Sequence, residues 1–173
     1  MQRADAPDGS GWWRPEALRR ALPNARVLLH GQPRYAAALA PLRDPAMLPI
    51  DQNTERFYGR VAVDLGYGGI ADSAAEGDRI ARALGNNSVL MMGNHGITIT
   101  AQTVAEAFED LYFFERAAET LMLAYASGQP LNVMSDEVAT QTAQSWLAYK
   151  DSAFAHFDQL KDMLDQSDPY YRH

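Results

Sequence analysis

The most regular hydrophobic pattern of the chain lies in its second half. From Val104 onward, apolar side chains recur at three- and four-residue intervals, which is the spacing of one buried helix face. Thr103 and Glu106 form the pattern of a capping box, in which each side chain satisfies an exposed backbone amide of the other residue. Gly128 is typical of a helix end. We therefore predict a long helix between Thr103 and Gly128.

A second helical pattern covers residues 135–165. Apolar residues recur there close to every seventh position, and Lys150 interrupts them. A continuous run of about 31 residues exceeds the usual length of a globular helix. The pattern thus predicts either a break near Lys150 or packing across a subunit interface. Shorter helical patterns lie upstream, from Pro15 onward and at residues 34–42 and 72–84.

Short apolar runs between these helices are typical of buried strands. They occupy residues 26–29, 47–50 and 60–64, and two more flank a Gly-Asn-His-Gly corner at residues 93–96. The alternation of strands and helices, with the longest helices last, predicts an α/β or α+β fold. We expect a disordered or arm-like lead at residues 1–14 and one domain over residues 15–173.

Composition narrows the classes of function. The net charge is −7, and an acidic surface disfavours nucleic acid and anionic membrane as partners. There is no cysteine, which removes disulfides and thiolate chemistry. The only lysines are Lys150 and Lys161, both among polar residues, so a covalent lysine enzyme is not expected. With no long apolar run, we expect a soluble, cytoplasmic protein.

Two histidines are candidates for chemistry because each follows a short apolar strand and lies beside a glycine. His30 and His95 could both point into one cleft, and neutral imidazole is a common ligand of divalent metals. Gln32 lies two residues after His30, on the same face of an extended segment, and could be a weak third ligand through its amide oxygen. Alternatively, both histidines are hydrogen-bonded turn residues.

Other polar positions are interpreted as structural. His156 lies in the last helical pattern and is predicted to be packed or half-exposed. A set of acidic residues in the helix after Thr103 is interpreted as a solvated helix face; it comprises Glu106, Glu109, Asp110, Glu115 and Glu119. The glycine-dense GYGG at residues 66–69 lacks the spacing of a phosphate loop and is predicted to be a turn.

From about Pro23 to its C-terminus, the chain resembles the class II aldolase/adducin family. The matching segments are ARVLLHGQPRYAAALA, LPIDQNTERFYGRVA, AAEGDRIARALG, the tail SDPYYRH and, most specifically, VLMMGNHGITITAQTVAEAFEDLYFFERAAETLMLA. The resemblance implies a three-layer fold in which helices flank an antiparallel sheet. It also implies a homo-oligomer, a tetramer or dimer, with active sites at the subunit interfaces.

Enzymes of this family use zinc, manganese or a similar divalent ion to stabilise an enediolate, in aldol cleavage, epimerisation or decarboxylation. By this resemblance His30 and His95 match two of the three metal-binding histidines, and Gln32 stands in the place of the remaining one. The substrate loop and the general base of the family lie in an N-terminal part without a counterpart here. The catalytic residues are thus unassigned, and we expect a sheet shortened at its N-terminal side.

Three hypotheses follow from this resemblance. In the first, the chain is a class II aldolase-type protein whose ancestral activity is metal-dependent carbon-carbon cleavage or decarboxylation of a small hydroxy-carbonyl or carboxylate substrate, with an incomplete metal site formed by His30, His95 and the weaker Gln32. Alternatively, it is a non-catalytic structural subunit or binding protein, as in the adducin branch. In the third hypothesis, the missing loop and base lie in a segment encoded upstream.

Overall fold

The computed structural model describes residues 26–66, 74–149 and 151–172. Four strands form one sheet: β1 (Val27–Gly31), β2 (Val61–Asp64), β3 (Val89–Met92) and β4 (Gly96–Ala101). Six helices accompany it: α1 (Arg34–Leu39), α2 (Gln52–Glu55), α3 (Ala74–Leu84), α4 (Val104–Ala126), α5 (Asp136–Ala148) and α6 (Asp151–Ser167). A short 3-10 helix, Pro169–Arg172, follows α6. Among these helices, none has both the length and the apolar composition needed to cross a membrane.

The sheet has the strand order β1-β4-β3-β2. β4 pairs antiparallel with both β1 and β3, whereas β2 pairs parallel with β3. The parallel pair arises because α3 connects β2 to β3 as a crossover. The sheet flanked by helices is confirmed, and its strand directions are mixed.

Helices cover both faces of the sheet. Successive side chains of a strand point to opposite faces, so each strand can contribute apolar residues to the packing on either side. Odd-numbered strand residues such as Met91 and Ile99 pack with α1 and α4 around the buried Phe114. Even-numbered residues such as Leu90 pack against α3 through Ile80 and Leu84. The three-layer arrangement is thus confirmed.

Local signals predicted most helices well. Thr103 and Glu106 form both halves of the capping box, and α4 then runs for 23 residues. It is followed by Gly128, whose φ of 66° is left-handed. The pattern at 135–165 divides into α5 and α6 at Tyr149, which has a non-helical ψ of 34°, so the predicted break is confirmed.

The strand predicted at residues 47–50 is wrong. Those residues carry no strand pairing, although Met47 is buried in the main core. Pro49 lies within the run and has no amide proton to donate to a ladder. The polar residues that follow form α2, which Asp51 and Thr54 begin with a capping box of their own. Several predictions concern residues outside the described ranges. They are the lead at 1–14, the helix from Pro15, most of the GYGG turn, the start of the 72–84 helix and the interruption at Lys150.

Candidate metal-binding site

The two candidate histidines lie at the same edge of the sheet. β1, β2 and β3 end there, and β4, which is antiparallel to β1 and β3, begins there. His30 is the penultimate residue of β1, and His95 lies in the turn between β3 and β4. This edge therefore brings together residues that are 65 positions apart in the sequence.

The turn that carries His95 is held by backbone hydrogen bonds. The His95 amide donates to the Met92 carbonyl at 3.1 Å, and the Asn94 amide donates to the Ala40 carbonyl just beyond α1 at 3.1 Å. Asn94 has a φ of 56°, a left-handed conformation that asparagine tolerates better than most residues. The corner is thereby fixed relative to α1.

Gly96 permits an unusually close approach between β4 and the end of β1. A Cβ atom at position 96 would lie 2.6 Å from the Gly31 carbonyl oxygen and 2.9 Å from Gln32 Cγ. Any side chain there would displace the backbone of β1. Because Gly96 has no side chain, Gln32 can pack directly against it, one residue away from His95.

The imidazole rings of His30 and His95 are neighbours. Their centroids are 4.8 Å apart, with an angle of 59° between the ring planes. Two imidazoles bound to one tetrahedral zinc ion, each through one nitrogen at about 2.1 Å, would place their centroids about 5 Å apart. The observed spacing therefore fits two ligands of a single ion. Both histidines are half-buried, and Gln32 is exposed beside them.

The third ligand is the point on which the site departs from a three-histidine arrangement. Within residues 26–66, 74–149 and 151–172, no group of three or more His, Cys, Asp or Glu side chains could hold a metal ion. Gln32 is an amide and is not counted in such a group. From the residues that the structure describes, a three-ligand site at this corner would therefore combine two imidazoles with an amide oxygen.

The chain is similar to proteins of one known family. The family model described as Class II Aldolase and Adducin N-terminal domain matches residues 16–122. The chain belongs to this family. The match includes β1, the β3–β4 corner and most of α4, and thus all three candidate ligands.

Relatives of both branches of the family are similar to the chain. A putative aldolase class 2 protein of Caulobacter vibrioides is 28% identical over 71% of this chain and 47% of its own length. An adducin-related protein of Schizosaccharomyces pombe is 28% identical over 69% of this chain and 36% of its own length. The chain spans less than half the length of each of these two relatives.

Solved structures show the same fold. An aldolase II superfamily protein from Pseudomonas syringae has a TM-score of 0.85 and 28% identity, covering 95% of this chain and 66% of that one. An L-fuculose 1-phosphate aldolase from Glaciozyma antarctica has a TM-score of 0.75 and 22% identity, covering 91% and 60%. The class II aldolase fold is therefore shown for this chain.

In this class II aldolase fold, Glu115 of α4 holds the segment that follows His30. Its carboxylate accepts hydrogen bonds from the backbone amides of Tyr35 at 2.8 Å and Ala36 at 2.9 Å. These amides open α1, where backbone N–H groups have no helical partner. Glu115 was predicted to face solvent, and that interpretation is wrong because α1 packs against this side of α4.

Asp64, at the end of β2, carries a buried carboxylate near this edge. It accepts from Arg79 Nη1 at 2.9 Å and from the Gly66 amide at 3.0 Å. Burial by itself would raise the pKa of Asp64, but the hydrogen bonds and the positive charge of Arg79 hold it below its ordinary value. The carboxylate of Asp64 is thus negatively charged and paired with Arg79 and the Gly66 amide.

The prediction of a solvated face on α4 is also wrong for Glu109 and Asp110, whose exposed fractions are only 3% and 8%. The Glu109 carboxylate lies 2.6 Å from His156 Nδ1 and 3.5 Å from Arg56 Nη2. Asp110 pairs with Arg60 and, at 3.7 Å, with Arg56. Spacing along α4 could not reveal this, because the segment after α2 supplies Arg56 and Arg60, and α6 supplies His156. His156 is half-buried, as predicted.

This buried charge cluster borders a cavity of about 290 Å³. The cavity adjoins Ser88 and Thr100, at the ends of β3 and β4 opposite to His95. Arg56 lies over the rings of Phe113 and Trp146, with its guanidinium carbon 4.4 and 5.2 Å from their centroids. Burial lowers the pKa of Arg56, and the neighbouring carboxylates oppose that effect. We interpret the cluster as structural, separate from the histidine corner.

Proposed function

We propose that this chain binds one divalent metal ion at the His30–His95 corner and belongs to the metal-dependent carbon-carbon lyases of its family. The ring spacing of 4.8 Å between the two imidazoles is the observation that carries the proposal. Two half-buried histidines from separate elements meet at the edge of a rigid sheet, where a ligand from solvent can reach them. A small hydroxy-carbonyl or carboxylate compound is the class of substrate that fits this chemistry.

The roles of the three residues differ. His30 and His95 would hold the ion through neutral nitrogens, and Gln32 would add a weaker amide oxygen. Amide oxygens suit harder ions such as Mn²⁺ better than zinc, so Gln32 would shift the preference of the site toward manganese. A bound ion would supply Lewis-acid stabilisation to negative charge that develops on a substrate oxygen.

A second candidate function is a non-catalytic binding or structural role. Gln32 in place of a third imidazole favours it, since amide ligation weakens the site for zinc. The similarity to an adducin-related protein is consistent with it. Under this hypothesis, the corner retains the shape of a metal site without binding an ion at micromolar concentrations.

We also infer a homo-oligomer, as the resemblance to the family implies. In the described part of the sheet, β1 and β2 are the outer strands, and unpaired strand edges are normally covered. Val63 and Leu65 at the β2 edge are 40% and 57% exposed. Light scattering at micromolar concentration tests this inference: we expect a dimer or tetramer, and a stable monomer would contradict it.

The test of the metal site is calorimetric titration of the metal-free protein with Zn²⁺ and Mn²⁺. We expect one ion per chain, loss of binding in His95→Ala, and tighter zinc binding in Gln32→His because an imidazole replaces an amide. His156→Gln is the matched control, since it removes a histidine of α6 outside the corner. Its metal affinity should equal that of the unsubstituted protein.

The outcomes separate the two functions. Binding that His95→Ala abolishes supports the metal-dependent lyase. Absence of binding in the unsubstituted protein, together with binding in Gln32→His, supports the non-catalytic role. If neither protein binds an ion, or if His95→Ala and His156→Gln lose affinity equally, the proposed site is wrong.

A further inference from the structure

The short helix α1 connects Gln32 to the turn that carries His95. Gln32 lies just before α1 and close to Gly96, since a Cβ added to Gly96 would be 2.9 Å from Gln32 Cγ. Just beyond the end of α1, the Ala40 carbonyl accepts the amide of Asn94 at 3.1 Å. Gln32 itself is exposed, so the backbone around it has to fix its place. The position of α1 therefore sets where Gln32 lies relative to His95.

α1 depends on α4 for the capping of its first turn. Its N-cap residue, Pro33, forms no side-chain cap. Instead, Glu115 Oε1 accepts the Tyr35 amide at 2.8 Å, and Glu115 Oε2 accepts the Ala36 amide at 2.9 Å. Two bonds to one carboxylate fix the orientation of the partner as well as its distance. Because Ala36 is fully buried, these contacts hold the start of α1 in one place against the core.

We propose that Glu115 is a positioning residue: acting through α1, it keeps Gln32 at the histidine corner. Glu115 contacts the backbone of α1 rather than a bound ion. In Glu115→Ala the start of α1 loses both acceptors, so Gln32 is no longer held beside Gly96. The consequence for metal affinity rests on the proposed function, whereas the placement of Gln32 can be measured without metal.

Nuclear Overhauser spectra of the metal-free protein test the placement of Gln32 directly. Gly96 and Gln32 are in close contact, so we expect a cross-peak between Gly96 Hα and Gln32 Hγ. Glu115→Ala should weaken that cross-peak, whereas the cross-peaks between Leu29 and Ile99, which are paired farther along β1 and β4, should remain. An unchanged Gly96–Gln32 cross-peak in Glu115→Ala would overturn the proposal.

Titration with Mn²⁺ alone provides the second test, with a matched control on the same helix. Loss of a residue that supports a metal ligand weakens affinity by about 10- to 100-fold, so we expect binding to be about 10-fold weaker in Glu115→Ala. Glu106→Ala also removes a capping carboxylate, one that accepts the Thr103 amide at 3.0 Å. This carboxylate caps α4 rather than α1, so its loss should leave the affinity unchanged.

A double variant shows whether Glu115 acts through Gln32. In Gln32→Ala only the two imidazoles remain at the corner, so adding Glu115→Ala should change the Mn²⁺ affinity less than about two-fold. A further loss as large as that in the unsubstituted protein would show that Glu115 acts on the histidines instead, and it would overturn the proposal. Equal losses of affinity in Glu106→Ala and Glu115→Ala would contradict it as well.

The inference and the proposed function can fail separately. If the unsubstituted protein binds no Mn²⁺, the proposed function fails, and the Gly96–Gln32 cross-peak still decides the placement of Gln32. If Mn²⁺ binds but Glu115→Ala keeps its affinity, the positioning role is wrong. Should Glu115→Ala fail to fold, Glu115→Gln, which keeps one accepting oxygen, takes its place in each measurement.

Discussion

The close approach at Gly96 yields the most direct test of the corner geometry. In Gly96→Ala, the new Cβ would lie 2.6 Å from the Gly31 carbonyl oxygen, well inside van der Waals contact. The obstructing atom belongs to the backbone of β1, so no side-chain rotation can relieve the overlap. We therefore expect β1 and β4 to separate locally at Gly31, next to His30.

Overpacking of this kind costs about 2 kcal/mol of the free energy of unfolding. In a chain of this length, each 1 kcal/mol corresponds to a change in melting temperature of about 2–4 °C, so a decrease of about 4–8 °C is expected. Urea unfolding followed by circular dichroism measures the cost, at one fixed protein concentration because assembly alters apparent stability. The metal affinity should also fall, since the rings of His30 and His95 move apart.

Gly31→Ala is the matched control across the same pair of strands. A Cβ at Gly31 would meet only Pro33 Cδ, at an ordinary contact distance of 3.7 Å. Its free energy of unfolding should change by less than about 1 kcal/mol, and an increase is consistent with a less flexible unfolded chain. If Gly96→Ala is as stable as Gly31→Ala and retains metal affinity, the close approach of β1 to β4 is refuted.

Three further predictions concern the buried charges. Glu115→Gln replaces one of the two accepting oxygens with an NH2 group, which can only donate. One backbone amide at the start of α1 then loses its partner, and unfolding in urea should be easier by about 1–2 kcal/mol; an unchanged midpoint would contradict the contact. Arg56→Met leaves buried Glu109 with less compensating charge and should lower the free energy of unfolding by about 3 kcal/mol. The double variant Arg56→Met/Glu109→Gln should lose less than the sum of the two single variants. Strict additivity would show that the pair is not coupled. The pKa of Asp64 is held low in the folded protein, so its contribution to stability is present above its unfolded pKa and is lost as the pH falls through the folded value. Asp64→Asn should reduce the decrease of melting temperature in acid, and an identical pH profile would refute this.

The histidine corner shows why family membership and activity are separate questions for this chain. The fold and the Asn-His-Gly turn are retained, while Gln32 occupies a position that the resemblance assigns to a histidine. Two imidazoles and one amide can hold a metal ion, but less tightly for zinc than three imidazoles. The affinity of the corner for Mn²⁺ and Zn²⁺ is therefore the quantity that distinguishes an enzyme from a binding protein.

The sequence by itself determined the features that depend on neighbouring residues. The start of α4 at Thr103 and its end before Gly128 follow from hydrogen bonds within one helical turn, which are encoded locally. The short strand before His30 and the turn at His95 were predicted for the same reason. The pair His30 and His95 was identified as a candidate because each follows a strand, but its spacing was not accessible from the sequence.

Only the tertiary structure decided which residues meet. The β1–β4 register places Thr98 against His30, and a shift by one residue would turn that side chain to the other face. Glu109 and Asp110 belong to the polar side of α4 by sequence, yet they are buried, because α2 and α6 bring Arg56 and His156 to them. Helical periodicity indicates which side of α4 carries charged residues. Whether that side is buried depends on the segments, distant in sequence, that pack against it.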